Sequence, residues 1–197
     1  MAISYQRVAS SSGTSVTVDV GAAGNDRLLV CYMCDESEPG ASFQGTVSVD
    51  GKSFTQQVVV ETTDGPGQHH ELHTIDESGL GSTNGSQTVS YSGGDSGWTI
   101  IVEVWYGVAN DTMYDSGSNT GVGSSTITVS NIDCPAGGLA SMGAGHGETS
   151  ASATGWTSPL TERADLNGSG HSGASASGVE SSAQTNKSYT CTWCIRS

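Results

Sequence analysis

Basic residues are scarce in this 197-residue chain: six Lys and Arg stand against 20 Asp and Glu, a formal net charge of −14. Such a surface repels phosphate backbones and anionic lipid, which sets aside nucleic acid and acidic membranes as partners. Long apolar runs are missing too. No stretch approaches the roughly 20 apolar residues of a membrane-spanning helix. The opening MAISYQRVASSSG lacks the apolar core of an export signal, so synthesis in the cytoplasm without a signal peptide is expected. Helix formers are sparse, and no window of about 12 residues repeats its apolar positions at a helical period. Charged residues make up only 13% of the chain; Gly (28 residues), Ser and Thr fill it instead. The length is enough for a sizeable core, and this composition suits an all-β protein with many turns.

Strand patterns alternate with turn signals at the spacing of a sandwich. Residues 15–20 place Val16, Val18 and Val20 on one face, and 21–26 form a Gly-rich turn. Residues 27–34 are apolar on both faces, the mark of a central strand covered on both sides. Asp50-Gly51 sits between the alternating runs 46–49 and 53–61, a strong hairpin signal because that turn needs positive φ. Further strands are expected at 71–75, 87–91 and 98–106. The second half repeats the first in pattern. SSGTSVTVDVGAAGNDRLLVCYMCDES, from Ser11, lies beside GSSTITVSNIDCPAGGLASMGAGHGETS, from Gly123, and GSQTVSYSGGDSGW beside TNKSYTCTWC. The expected fold is an antiparallel, jelly-roll-like β-sandwich made of two pseudo-repeated halves, 1–110 and 111–197, in one compact unit. In the first half an apolar strand, 98–106, follows the Thr-Val-Ser-Tyr strand; in the second the corresponding strand runs into Ile195, Arg196 and Ser197. On this pattern the last strand is cut short and leaves a sheet edge, so those three residues are the expected subunit contact.

CYMC at 31–34 and CTWC at 191–194 pose a choice among zinc, redox chemistry, a disulfide and buried thiols. A four-thiolate zinc site needs two tight turns whose cysteines converge. Tyr32-Met33 and Thr192-Trp193 favour extended chain instead, where residues three apart point to opposite faces. A thioredoxin-like pair needs a helix start, which the pattern does not offer. Buried thiols lead, because cysteine is among the most buried residue types. Zinc or a disulfide on Cys31, Cys34, Cys191 and Cys194 remains as an alternative, with Cys134 leaving the count odd.

Other clusters carry less. Gln68-His-His-Glu-Leu-His73 holds three histidines in five residues, but Glu71 falls midway between His69 and His73, unlike the helical zinc-protease spacing. On a strand His69, Glu71 and His73 share one face, expected to be a polar outer face. The acidic runs 35–38 and 61–64 lack the calcium-loop pattern. GHSG at 170–173 lacks the nucleophile elbow and lies in the low-complexity run 167–178. Trp98, Trp105, Tyr106 and Tyr114 cluster around one strand and its exit; they offer either a sugar-stacking platform or core packing. No catalytic residue, cofactor or metal is expected, and the protein is not expected to be an enzyme.

GNDRLLV, VSVDGKSFT, HHELHTIDESGLGSTNGSQTVSYSGG and VEVWYGVAND together resemble a β-sandwich domain found in structural proteins of tailed phages and prophages. Residues 24–30, 47–55, 71–75 and 98–108 fill that family's slots. The chain departs from the pattern at His73, where an aromatic is usual, and at Ser48-Val49-Asp50, which replaces the aromatic-Gly of the hairpin. The resemblance implies a virion structural protein: a capsid decoration or head–tail accessory protein that contacts the major capsid or other virion proteins and assembles as an oligomer. The alternative is a carbohydrate- or receptor-binding sandwich on a phage tail or cell surface, using the aromatic group.

Overall fold

The computed structural model describes residues 2–37, 45–62, 67–93, 98–120, 124–147, 150–167 and 170–195. The first half contains β1 (Ser4–Ser12), β2 (Ser15–Asp19), β3 (Leu28–Ser37), β4 (Thr46–Val49), β5 (Lys52–Ser53), β6 (Thr55–Glu61) and β7 (Gly67–Asp76). It continues with one helical turn, α1 (Glu77–Leu80), then β8 (Ser86–Ser92) and β9 (Thr99–Tyr106). The second half holds β10 (Thr126–Cys134), β11 (Leu139–His146), β12 (Ala151–Trp156), β13 (Thr161–Asn167), β14 (Ser172–Val179) and β15 (Gln184–Ile195). The β4–β5 hairpin turns through Asp50 and Gly51, both at positive φ (49° and 72°), as the Asp-Gly signal requires.

The strands form four antiparallel sheets, in the orders β2-β8-β4-β5, β1-β9-β3-β7-β6, β11-β14-β13 and β10-β15-β12. Alternation along each strand sets which core each residue joins. Leu29, Cys31 and Met33 of β3 and Ile100, Val102 and Val104 of β9 meet Val16, Val18, Val47 and Val89 of the first sheet. Leu28, Val30, Tyr32 and Cys34, with Ile101 and Trp105, point the other way, toward Leu139, Ala164, Leu166 and Val179. The opposite face of that third sheet packs Met142, Ala144, Ala174 and Ala176 on Ala151, Ala153, Tyr189, Cys191 and Trp193 of the fourth. The result is a four-layer stack in which the two middle sheets are each covered on both faces.

The two middle layers lie close together because β11 and β14 present small residues there. A Cβ at Gly143 would fall 1.9 Å from the Tyr32 ring, and one at Gly145 2.1 Å from His70. The stretch 167–178, read above as low complexity, therefore contains the buried central strand β14. Its Gly and Ser residues are selected by inter-sheet spacing.

The duplication is topological. In the first half β8 lies between β2 and β4, and β7 between β3 and β6; in the second, β15 lies between β10 and β12, and β14 between β11 and β13. Thus β15 corresponds to β8 and is not truncated: it is paired on both sides, Ile195 opposite Ala151. Among the described residues β1, β5 and β9 have no counterpart in the second half; of these, β9 pairs with β3. Its equivalent position, beside β11, is held by no described strand.

Candidate functional site

That vacant edge opens onto a cleft of about 860 Å3 between the two halves. Its floor is β6 and β7 of the large sheet, one wall is β11, and the opposite wall is β10 with the connection 108–120. Val58, Val60, Leu72, Ile127, Val129 and Ile132 line it, and all are only half-buried. The connection is tied down by side chains: Gln57 Nε2 donates to the Asp111 carbonyl (3.2 Å), Asn119 Nδ2 to the Thr128 carbonyl (2.6 Å), and the Asp133 amide to Asp115 Oδ2 (2.8 Å).

The cleft has a polar end. Gln68 is buried (7% exposed) and lines the cavity, yet neither its Oε1 nor its Nε2 has a hydrogen-bond partner. An unpaired buried amide costs on the order of 1–3 kcal/mol, so a complementary group is the arrangement this side chain favours. Beside it, His70 Nδ1 and Tyr32 Oη lie 2.7 Å apart in a hydrogen bond. Burial, with His69 and His171 adding repulsion, pushes the His70 pKa down to about 3, so the ring is neutral. Burial also raises the Tyr32 hydroxyl well above its ordinary value. Among the described residues no Lys or Arg lines the cleft, whereas Asp111, Asp115 and Asp133 do.

A second polar group lies on the other face of β7. His69, Glu71 and His73 share a face as the alternation predicts, but that face points inward, because β7 is an inner strand covered by two sheets. Glu71 Oε1 takes a 2.6 Å bond with His69 Nε2 and a 3.1 Å bond from Tyr91 Oη; Oε2 bonds His73 Nε2 and accepts from Gln56. Burial opposes ionisation of Glu71, but the two histidines outweigh it and bring its pKa down to about 2. Burial likewise opposes charge on His69, yet Glu71 and Glu61 raise its pKa overall. The network ties β6 and β7 to β8 of the neighbouring sheet and so braces two layers.

A third group joins the middle layers. Glu103 (1% exposed) accepts from Ser175 Oγ (2.8 Å), Ser177 Oγ and Trp105 Nε1 (3.1 Å), while the Arg163 guanidinium lies 4.0 Å from the Tyr5 ring centre.

The other sequence candidates are dispersed. Cys31, Cys34 and Cys191 lie in three different cores, Cys194 is exposed, and none of the five cysteines is in a disulfide. They cannot converge on one zinc ion or one bridge, because alternation sends Cys31 and Cys34 to opposite sides of β3. Among the described residues no group of three or more His, Cys, Asp or Glu is arranged to hold a metal. The aromatic group does not make a platform either. Trp98 (0% exposed) and Trp105 (2%) point to opposite faces, Tyr106 packs on the first core, and Tyr114 alone is exposed. Ile195 ends β15, and Arg196 and Ser197 lie outside the described residues. Sequence reasoning placed a Leu-bearing strand at β11 through the repeat but missed Gln68 as a site residue, because a lone glutamine carries no chemical motif.

No family model, curated protein or solved structure matches this chain. No described helix is long and apolar enough to cross a membrane.

Proposed function

We propose that the protein is a virion structural protein of the decoration or head–tail accessory type, acting through protein–protein contacts. The observation that carries this reading is the open β11 edge: among the described residues no strand pairs with the free side of β11, and the cleft beside it is lined with half-buried aliphatic side chains. Open edges that are not blunted by charge or proline are where chains pair with other chains. The resemblance of residues 24–30, 47–55, 71–75 and 98–108 to phage structural sandwiches points the same way. The acidic surface suits a partner with basic patches, and many symmetric copies would multiply a modest contact. The carbohydrate-binding alternative loses its basis with Trp98 and Trp105 in the core.

Quantitative mass spectrometry of particles purified from the source tests this. Copy numbers near those of the coat protein are expected for a decoration protein, and a few copies for a tail location. Absence from the particles refutes the reading.

A further inference from the structure

We infer that the cleft is a strand-acceptor site. An extended segment of about eight residues from a basic partner polypeptide adds to β11 and completes its sheet, as β9 completes the equivalent edge at β3. The inference deepens the assembly reading above and rests on it.

Four observations converge. First, the internal duplication marks an open edge. β3 pairs with β7 on one side and β9 on the other, whereas among the described strands β11 pairs only with β14. Both β9 and β11 are eight residues long. Second, the vacant position is the cleft. A strand beside β11 lies over Val58, Val60 and Leu72 and under Ile127, Val129 and Ile132, so its alternate side chains meet aliphatic surface on both faces. Backbone bonds would supply affinity and the side-chain pockets selectivity, the usual division in strand addition. Third, Gln68 ends in a paired donor and acceptor, both unsatisfied and buried. In an extended chain the N–H and C=O of one residue point to the same side, which matches a side-chain amide. Fourth, charge selects the source. Asp111, Asp115 and Asp133, with no Lys or Arg among the described lining residues, favour a segment flanked by basic residues. A second copy of this chain, at −14, is repelled.

The test uses a probe peptide with the sequence of Thr99–Tyr106, carrying Glu103→Lys and one added lysine at each end. It is titrated into the ¹⁵N-labelled 197-residue protein at low salt. Expected are saturable shifts at β11 and at the Gln68 side-chain amide, with amide exchange slowed at least tenfold at alternate β11 positions. A glutamate-flanked version of the peptide binds at least tenfold more weakly. Gln68→Leu weakens binding at least fivefold while the urea midpoint of the free protein stays or rises, an opposition that a merely structural residue cannot give. Should that variant fail to fold, Val60→Lys on the cleft floor must weaken binding instead. Unchanged β11 exchange at millimolar peptide, protection confined to another edge, or equal affinity for both peptides overturns the inference. Particle association and β11 protection are read separately. Protein on particles without a β11 response removes only the strand-acceptor site; a β11 response without particle association removes only the virion reading.

Discussion

Replacing Arg27 with Met tests how the first half is locked. The Arg27 side chain is fully buried, and its partner Glu77 is 24% exposed. Nε and Nη2 donate to the two Glu77 oxygens at 2.8 and 2.6 Å, and the remaining donors reach the carbonyls of Thr83 (2.6 Å), Gly81 (3.0 Å) and Gly21 (3.3 Å). Met keeps the volume and removes every donor. Breaking a buried pair costs about 3–5 kcal/mol; because Glu77 can still turn to water, the lower figure, about 3 kcal/mol, is expected at pH 7. The pH dependence isolates the cause. Bonds from the Arg27 side chain, then from the Arg27 and Gly24 amides, hold Glu77 at about 2, against about 4.3 in an unfolded chain. The folded value is the lower one, so the stabilisation is complete above about 4.3 and drains away as pH falls toward 2. The cost of Arg27→Met should shrink to about 1.5 kcal/mol at pH 3. Urea unfolding followed by tryptophan fluorescence at both pH values measures it. A cost under about 1 kcal/mol at pH 7, or one that does not change with pH, refutes the reasoning.

Three further outcomes are expected. In the Glu71 network, NMR titration should find His69 above its ordinary value. Its stabilisation is complete below about 6.5 and lost as pH rises through that raised value; Glu71→Gln should lower the His69 titration and cost about 3 kcal/mol, and an unmoved titration contradicts the network. Gly143→Ala puts a methyl into the Tyr32 ring and should cost about 1–3 kcal/mol in thermal unfolding, whereas Gly155→Ala, whose Cβ meets only Thr192 at 3.7 Å, should be near neutral. With a thiol reagent, Cys194 should react at once, while Cys31, Cys34 and Cys191 react only on unfolding. Burial raises all three thiols, Cys191 to about 12; rapid labelling in Cys194→Ser at any of these three contradicts their placement.

Much of the strand framework is written in the sequence because period-two alternation is a local property. The valines at 16 and 18, the two-sided apolar run of β3, the long strand β9, and Asp50-Gly51 with its positive φ all follow from neighbours along the chain. So does the opposition of Cys31 and Cys34 across β3, and the similarity between the stretches from Ser11 and from Gly123, which hold equivalent places. Alternation, however, says which residues share a face and not what covers that face. His69, Glu71 and His73 read as an outer surface and became a buried brace, because a second sheet lies on them. Trp98 and Trp105 are seven positions apart, which divides them between two cores once both faces of β9 are covered. The small residues of β11 and β14 carry no apolar signal, yet they set the spacing of the middle layers. The cleft lies where two halves with related strand orders stack and, among the described residues, no strand pairs with the free side of β11. Its lining runs from Ile3 to Tyr189, and no local rule relates positions so far apart.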